Sequence, residues 1–231
     1  MATGDIDWSR YFVSEKLDGM RAFWDGGVTR GLPVASVPWA SNREGVSTGL
    51  WSRYGKPIHA PQWWLEALPP FMLDGELYLG RSRFQDTVSI TRSSVNPKSW
   101  VGVRYMVFDA PPAEVMGCSG TVNNGTVKYL QIPTCVDLLR PVSLVAGITD
   151  FSFVYKTLGE KLPVNDVVNL VPQRRLAAAD AEALYRDVVD GSGEGLMLRA
   201  WFSSYEVKRT KNLLKLKPEC SGSGTVVGFL E

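Results

Sequence analysis

Short apolar runs recur along the chain: "RAFWD", "FMLDGELYLG", "VGVRYMVFDA", "EGLMLRA", "NLLKLKP" and "GTVVGFLE". Each is rich in β-branched or aromatic residues and bounded by Gly, Pro or Asp, so each predicts a strand. Helical patterns fall between them. In "LAAADAEALYRDVVDG", Leu176, Ala183, Leu184 and Val188 suit a 3.6-residue period, and Gly191 is placed to end the helix. "APQWWLEAL" reads as a shorter helix with Pro61 near its first turn, and "SRFQDTVSITRSS" as a third. Two stretches, Gly26 to Thr48 and Pro111 to Val127, read as loops or insertions long enough to be either functional or locally ordered. This order of elements predicts an α+β fold around antiparallel sheets rather than a strict βαβ repeat.

Charged residues interrupt the apolar pattern where burial is expected. In "VSEKLDGMRAFWDG", Val13, Leu17, Met20 and Phe23 surround Lys16. A lysine so desolvated sheds its proton more readily and can act as a nucleophile. "WSRYGKPIHAP" carries Ser52, Arg53 and Lys56; "LDGELYLG" carries Asp74 and Glu76; "GEGLMLR" carries Glu194 and Arg199. In "LLKLKP", Lys215 and Lys217 alternate with leucines and share one strand face. Together these residues form an inventory for phosphate transfer: a nucleophile, two separated carboxylates for a metal, and cations for a polyphosphate.

Composition narrows the choices. The 231 residues are 45% hydrophobic and 21% charged, enough for a sizeable core in one large domain or two small ones. No apolar run approaches the roughly 20 residues of a membrane span. "MATGDIDWSRY" has neither a basic nor an apolar leader segment, so the expected location is the cytoplasm, the host's if the chain is phage-encoded. Three scattered cysteines disfavour a disulfide framework or a four-cysteine zinc site. A single histidine, His59, leaves carboxylates and phosphates as the plausible metal ligands, which points to Mg²⁺ or Mn²⁺. The net charge of +1 argues against a wholly basic nucleic-acid protein while permitting local basic patches.

The ordered combination resembles the covalent nucleotidyltransferases. Lys16-Leu17-Asp18-Gly19-Met20-Arg21 looks like their motif I, KxDGxR. Ser52-Arg53-Tyr54-Gly55 resembles motif Ia, Asp74-Gly75-Glu76-Leu77 motif III, and "YMVFD" around Phe108 motif IIIa. Glu194 to Arg199 looks like motif IV and Lys215-Leu216-Lys217 like motif V. Within that superfamily the resemblance is to the small ATP-dependent DNA ligases of bacteria and phages. Arg30 in "TRGLP" is a second candidate for motif Ia; Arg53 is preferred because "SRYGKPIHAP" matches over a longer stretch, which makes Gly26 to Thr48 an insertion.

The resemblance implies a nucleotidyltransferase (ATP-grasp-like ligase) fold over residues 1–220. It implies ATP and Mg²⁺ as cofactors, a lysyl-AMP intermediate on Lys16, and nicked double-stranded DNA as the partner of a monomeric, membrane-free enzyme. Lys16, Asp18 and Arg21 would be catalytic. Glu15, Lys16, Arg21, Arg53, Glu76, Phe108, Glu194, Lys215 and Lys217 would bind the nucleotide, with Phe108 stacked on the base and Glu76 and Glu194 at the metal. Arg53, Arg81, Arg83, Arg92, Lys208 and Arg209 would meet DNA. Such ligases continue into an OB-fold domain. Here "SGSG" reads as a linker and "TVVGFLE" as a first OB strand, so residues 221–231 are expected to open a domain that is truncated or supplied by another chain. An RNA ligase and an mRNA-capping guanylyltransferase use the same motif order. A non-catalytic nucleic-acid binding module would be expected to have lost at least one of Lys16, Glu76, Glu194, Lys215 and Lys217. The four-cysteine zinc module of NAD-dependent ligases has no counterpart in the sequence.

Overall fold

A computed structural model describes residues 6–42, 44–93, 96–111 and 150–218. Eight strands form two sheets, with four α-helices among the described residues. The smaller sheet has the order β1 (Tyr11–Glu15), β7 (Leu196–Ala200), β8 (Leu213–Leu216), all antiparallel. The larger has the order β3 (Leu50–Ser52), β2 (Met20–Asp25), β4 (Met72–Tyr78), β5 (Arg104–Asp109), β6 (Val168–Leu170). Its pairings are antiparallel except β5 with β6, which is parallel. The α+β expectation therefore stands with one correction: the larger sheet is mixed. The connection from β5 to β6 passes through α3 (Phe151–Lys161), a crossover long enough to bring β6 back parallel.

The alternation of side chains assigns each sheet a dry face and a face toward the other sheet. On the smaller sheet Val13, Leu196, Leu198 and Leu216 turn to α4 (Ala178–Asp190), where Ala181 and Val188 complete a core with Trp8. On the larger sheet Ala22, Trp24, Leu73, Leu77, Tyr105 and Val107 form the main core with Trp64, Trp100 and α3 residues Val154 and Leu158. Trp64 and Trp100 meet edge to face at 5.0 Å between centroids, and the Trp64 indole N–H donates to Val103 O at 3.0 Å. The opposite set of side chains then faces across the gap: Ser14, Met197, Arg199 and Lys215 from one sheet, Arg21, Asp74, Glu76, Met106 and Phe108 from the other.

The "LAAADAEALYRDVVDG" helix appears as α4, and "SRFQDTVSITRSS" as α2 (Phe84–Arg92). "APQWWLEAL" yields only the four-residue α1 (Gln62–Leu65), which Pro61 precedes rather than enters. The Gly26 to Thr48 stretch is locally ordered. Val34 and Val37 are buried with Phe23, Trp51 and Met72, and Trp39 and Ala40 pack against them, so it roofs one end of the larger sheet. Asp25 holds it from below, accepting from Thr29 Oγ1 at 2.5 Å and from the Trp51 indole at 3.0 Å. Most of the Pro111 to Val127 stretch and all of residues 221–231 lie outside the described residues, as does the predicted strand "GTVVGFLE".

Candidate active site

Lys16 sits one residue past β1, where its backbone N–H donates to Gly195 O at 2.8 Å. The register that pairs Glu15 with Leu196 and Leu196 with Leu216 carries on to align Lys16, Gly195 and Lys217 across the sheet end. Gly195 has φ of 108°, and a Cβ there would fall 2.1 Å from Leu216 O, so the three strands close up only around a glycine. Glu194 precedes it and its carboxylate contacts Lys16 Nζ, with Lys217 Nζ 3.8 Å from the same oxygen. A small cleft is lined by Lys16, Leu17, Asp18, Gly19, Phe84 and Glu194. Phe84 at the start of α2 was not suggested by the sequence, because an aromatic residue in an amphipathic helix carries no sign of facing a cleft.

The turn from β1 to β2 brings this lysine to the other sheet. Gly19 lies so close to β4 that a Cβ would meet Leu77 O at 2.3 Å and Glu76 Cγ at 2.7 Å. The Asp-Gly of the turn is thus a point of close approach that sets Lys16 opposite Glu76. Lys16 is 19% exposed, and its pKa is lowered, first by burial and then by Lys217 and Lys215, against the pull of Glu76 and Asp18. Burial likewise pushes Glu76 up to about 7, although Lys16 and Arg21 favour its charged form. Burial thus shifts both groups toward their neutral forms, the lysine downward and the carboxyl upward.

A second polar network backs the cleft. Arg21 donates to both oxygens of Asp74, from Nε at 3.0 Å and Nη2 at 2.5 Å, and lies 5.8 Å from the Phe108 ring centre. Tyr205, in the segment between β7 and β8, donates to Asp74 at 2.7 Å and accepts from Arg21 at 3.1 Å. The register shift between Asp74 and Gly75 pairs Asp109 with Asp74, and buried Arg199 meets Asp109 at 3.3 Å. Asp74, Asp109, Arg199 and Tyr205 are therefore structural partners of the site that were assigned no role from sequence. Asp74 and Arg199 stood out as charges within apolar runs; Tyr205, in a polar loop, left no such signal.

Asp109 carries a pH prediction. Burial, with Asp74 adding, pushes it up to about 6 from 3.8, with Arg199 pulling the other way. Between those values the folded protein keeps a proton that the unfolded chain releases, so this group's contribution to stability falls as pH rises through the window. Asp109→Asn should flatten that fall in a series of thermal melts between about pH 4 and pH 6.

The other sequence-predicted residues are placed less centrally. Arg53 is exposed just beyond β3, stacked on Tyr54 at 5.9 Å, and continuing the β2–β3 register sets it alongside Arg21. Arg30, the alternative, donates to Gln62 away from this row. Asp18 lies at the cleft wall, and Lys215 is exposed on β8. Glu15 is engaged by Arg81, and Arg83 pairs with Asp86 at 2.9 Å within α2's first turn. Arg92, Lys208 and Arg209 are exposed. Among the described residues no three His, Cys, Asp or Glu side chains converge as a metal cage. Glu76 and Glu194 offer hard oxygen donors from opposite sides of Lys16, which suits a Mg²⁺ that takes its remaining ligands from phosphates and water. No helix among the described residues is long and apolar enough to cross a membrane.

Two facing sheets with a lysine at their junction define the nucleotidyltransferase fold of the ligase type. No family model matches the chain. Over 217 residues, 94% of its length, it is 27% identical to a DNA ligase of Haemophilus influenzae, of which the match covers 61%. A solved structure from a structure–function analysis of Lig E DNA ligases aligns with 93% of the chain and 64% of its own, at 29% identity and a TM-score of 0.63. The crystal structure of Chlorella virus DNA ligase-adenylate covers 94% of the chain and 65% of its own, with a TM-score of 0.55; at 17% identity this is a likeness of fold alone. The chain is thus similar to DNA ligases and spans somewhat under two thirds of the length of each of these three.

Proposed function

We propose that the chain is the nucleotidyl-transfer part of an ATP-dependent DNA ligase. The observation that carries this reading is the desolvated Lys16, flanked by Glu76, Glu194, Lys215 and Lys217 in a cleft between two sheets. Neutral Lys16 Nζ attacks the α-phosphorus of ATP. A P–N bond forms, the bond from the α-phosphorus to the bridging oxygen breaks, and pyrophosphate leaves with that electron pair. As the P–N bond forms the amine gives up a proton, and the Glu194 carboxylate in contact with Nζ is placed to accept it. Lys215 and Lys217 balance charge that builds on the phosphates, and Phe108 offers an apolar ring to the base. A Mg²⁺ held by Glu76 and Glu194 would withdraw charge from the phosphate oxygens.

AMP then passes from Lys16 to the 5′-phosphate of a nick, and the 3′-hydroxyl displaces AMP to close the strand. Asp18 at the cleft wall and Arg21, held by Asp74, stay within the catalytic set. Arg53 and the exposed Arg92, Lys208 and Arg209 supply phosphate contacts whose strength falls with salt. In this reading residues 1–220 form the transferase unit and 221–231 open a further domain. The test is sealing of a duplex with one 5′-phosphorylated nick, in ATP and Mg²⁺. Sealing that requires both the 5′-phosphate and ATP supports the proposal. Sealing of nicked RNA in preference to DNA would move the chain to the RNA ligases.

A further inference from the structure

Arg81 follows β4 on the larger sheet, yet its guanidinium reaches the smaller one. Nε donates to Glu15 Oε1 at 2.7 Å, Nη2 to Glu15 Oε2 at 2.8 Å, and Nη1 to Gly191 O at 3.1 Å. Glu15 ends β1 and is the immediate neighbour of Lys16; Gly191 ends α4 and begins the short turn leading to Glu194. One planar fork therefore grips both segments that deliver the Lys16–Glu194 pair, and ties them to the sheet that carries Glu76.

Two independent features gather at this contact. Among the described residues the non-glycine positions with positive φ are Ser82 at 58° and Ser192 at 62°. One directly follows Arg81 and the other directly follows Gly191. Such backbone is strained for a residue with a side chain and persists where its surroundings enforce it. Gly191 itself has an ordinary φ of −82°, but a Cβ there would fall 2.2 Å from Arg81 Nη1. The glycine leaves room for the guanidinium.

We propose that Arg81 is a positioning residue, a clamp across the two sheets that sets Lys16 and Glu194 for attack on the nucleotide. The role rests on the nucleotidyl-transfer reading above, and it commits to the protein's own backbone a charge that the sequence had suggested for DNA. Arg81 and Glu15 side chains are 36% and 25% exposed, so the pair adds little to stability; its effect lies in geometry.

The test compares Arg81→Ala, Arg81→Lys and Gly191→Ala with the unaltered chain, by single-turnover AMP-adduct formation over a range of ATP and by amide hydrogen exchange. A misplacement of the reacting groups by a fraction of an ångström to an ångström predicts a maximal rate lower by roughly 10- to 100-fold in Arg81→Ala. Half-saturating ATP and the melting temperature should change little. Gly191→Ala, which keeps the charge but displaces the guanidinium, should reproduce the loss, and Arg81→Lys should recover part of it. The Lys16 amide should exchange faster in the first two variants while β5 amides do not. Unchanged rates, unchanged Lys16 exchange, or a rise in exchange throughout the chain would each overturn the clamp. Absence of any adduct on the unaltered chain would overturn its catalytic role together with the reading beneath it. That failure is recognisable because every variant is then equally silent while exchange still reports the contact.

Discussion

Lys16→Ala should form no AMP adduct, and Lys16→Arg should do no better. The expected loss is at least about 10³-fold, because no other described amine sits at the junction of the sheets with Glu76 on one side and Glu194 on the other. Arginine is the sharper test. It keeps the positive charge and much of the volume, so it preserves the contact with Glu194 that helps hold β7 against β1. Its guanidinium remains protonated at any accessible pH and offers no lone pair to phosphorus. A folded Lys16→Arg protein without adduct separates nucleophilicity from charge. Adduct formation by either variant, read by intact mass, would remove Lys16 from the role.

Gly195→Ala should have the largest effect on the fold of any single methyl added near the site. The backbone at φ of 108° is closed to a side chain, and the new Cβ would lie 2.1 Å from the Leu216 carbonyl and 3.1 Å from Lys217 Cα. Both obstacles are backbone, so no rotamer change relieves them. Either β8 moves away from β7 or the turn before Leu196 rearranges; both separate Lys217 from Lys16. The expected cost is about 2–4 kcal/mol, from left-handed strain plus disrupted pairing, or a fall in melting temperature of roughly 5–15 °C for a chain of this size. Thermal melts and adduct formation should fail together. A variant that melts normally would mean that the three-strand closure around Gly195 is not as tight as the geometry requires.

The chemistry was more legible in the sequence than the scaffold. Lys16, Glu76, Glu194, Lys215 and Lys217 stood out because charges in apolar strands have to find partners, and the fold gathers them around one lysine. The short apolar runs bounded by Gly, Pro or Asp gave β2, β4, β5, β7 and β8 directly. The three-residue strands β3 and β6 were too short to show a period, and β6 is the strand that makes the larger sheet mixed. Helix α3 begins "FSFVY", a run whose aromatic and β-branched residues favour a strand; its Asp150 cap, accepting from Phe153 N–H at 2.9 Å, and its packing on β5 override that preference. The cross-sheet ties were not legible at all. Arg81 with Glu15, Tyr205 with Asp74, and Arg199 with Asp109 join residues far apart in the chain, and only the stacking of the two sheets makes them neighbours.

In the proposed reaction Lys16 carries the nucleotide between ATP and DNA. Its most direct test is mass spectrometry of the purified chain after incubation with Mg²⁺ and either ATP or GTP, followed by peptide mapping of any adduct. The expected outcome is a gain of one AMP from ATP, none from GTP, and a modified peptide containing Lys16. An adduct mapped to Lys215 or Lys217, or a gain of GMP from GTP, would contradict it.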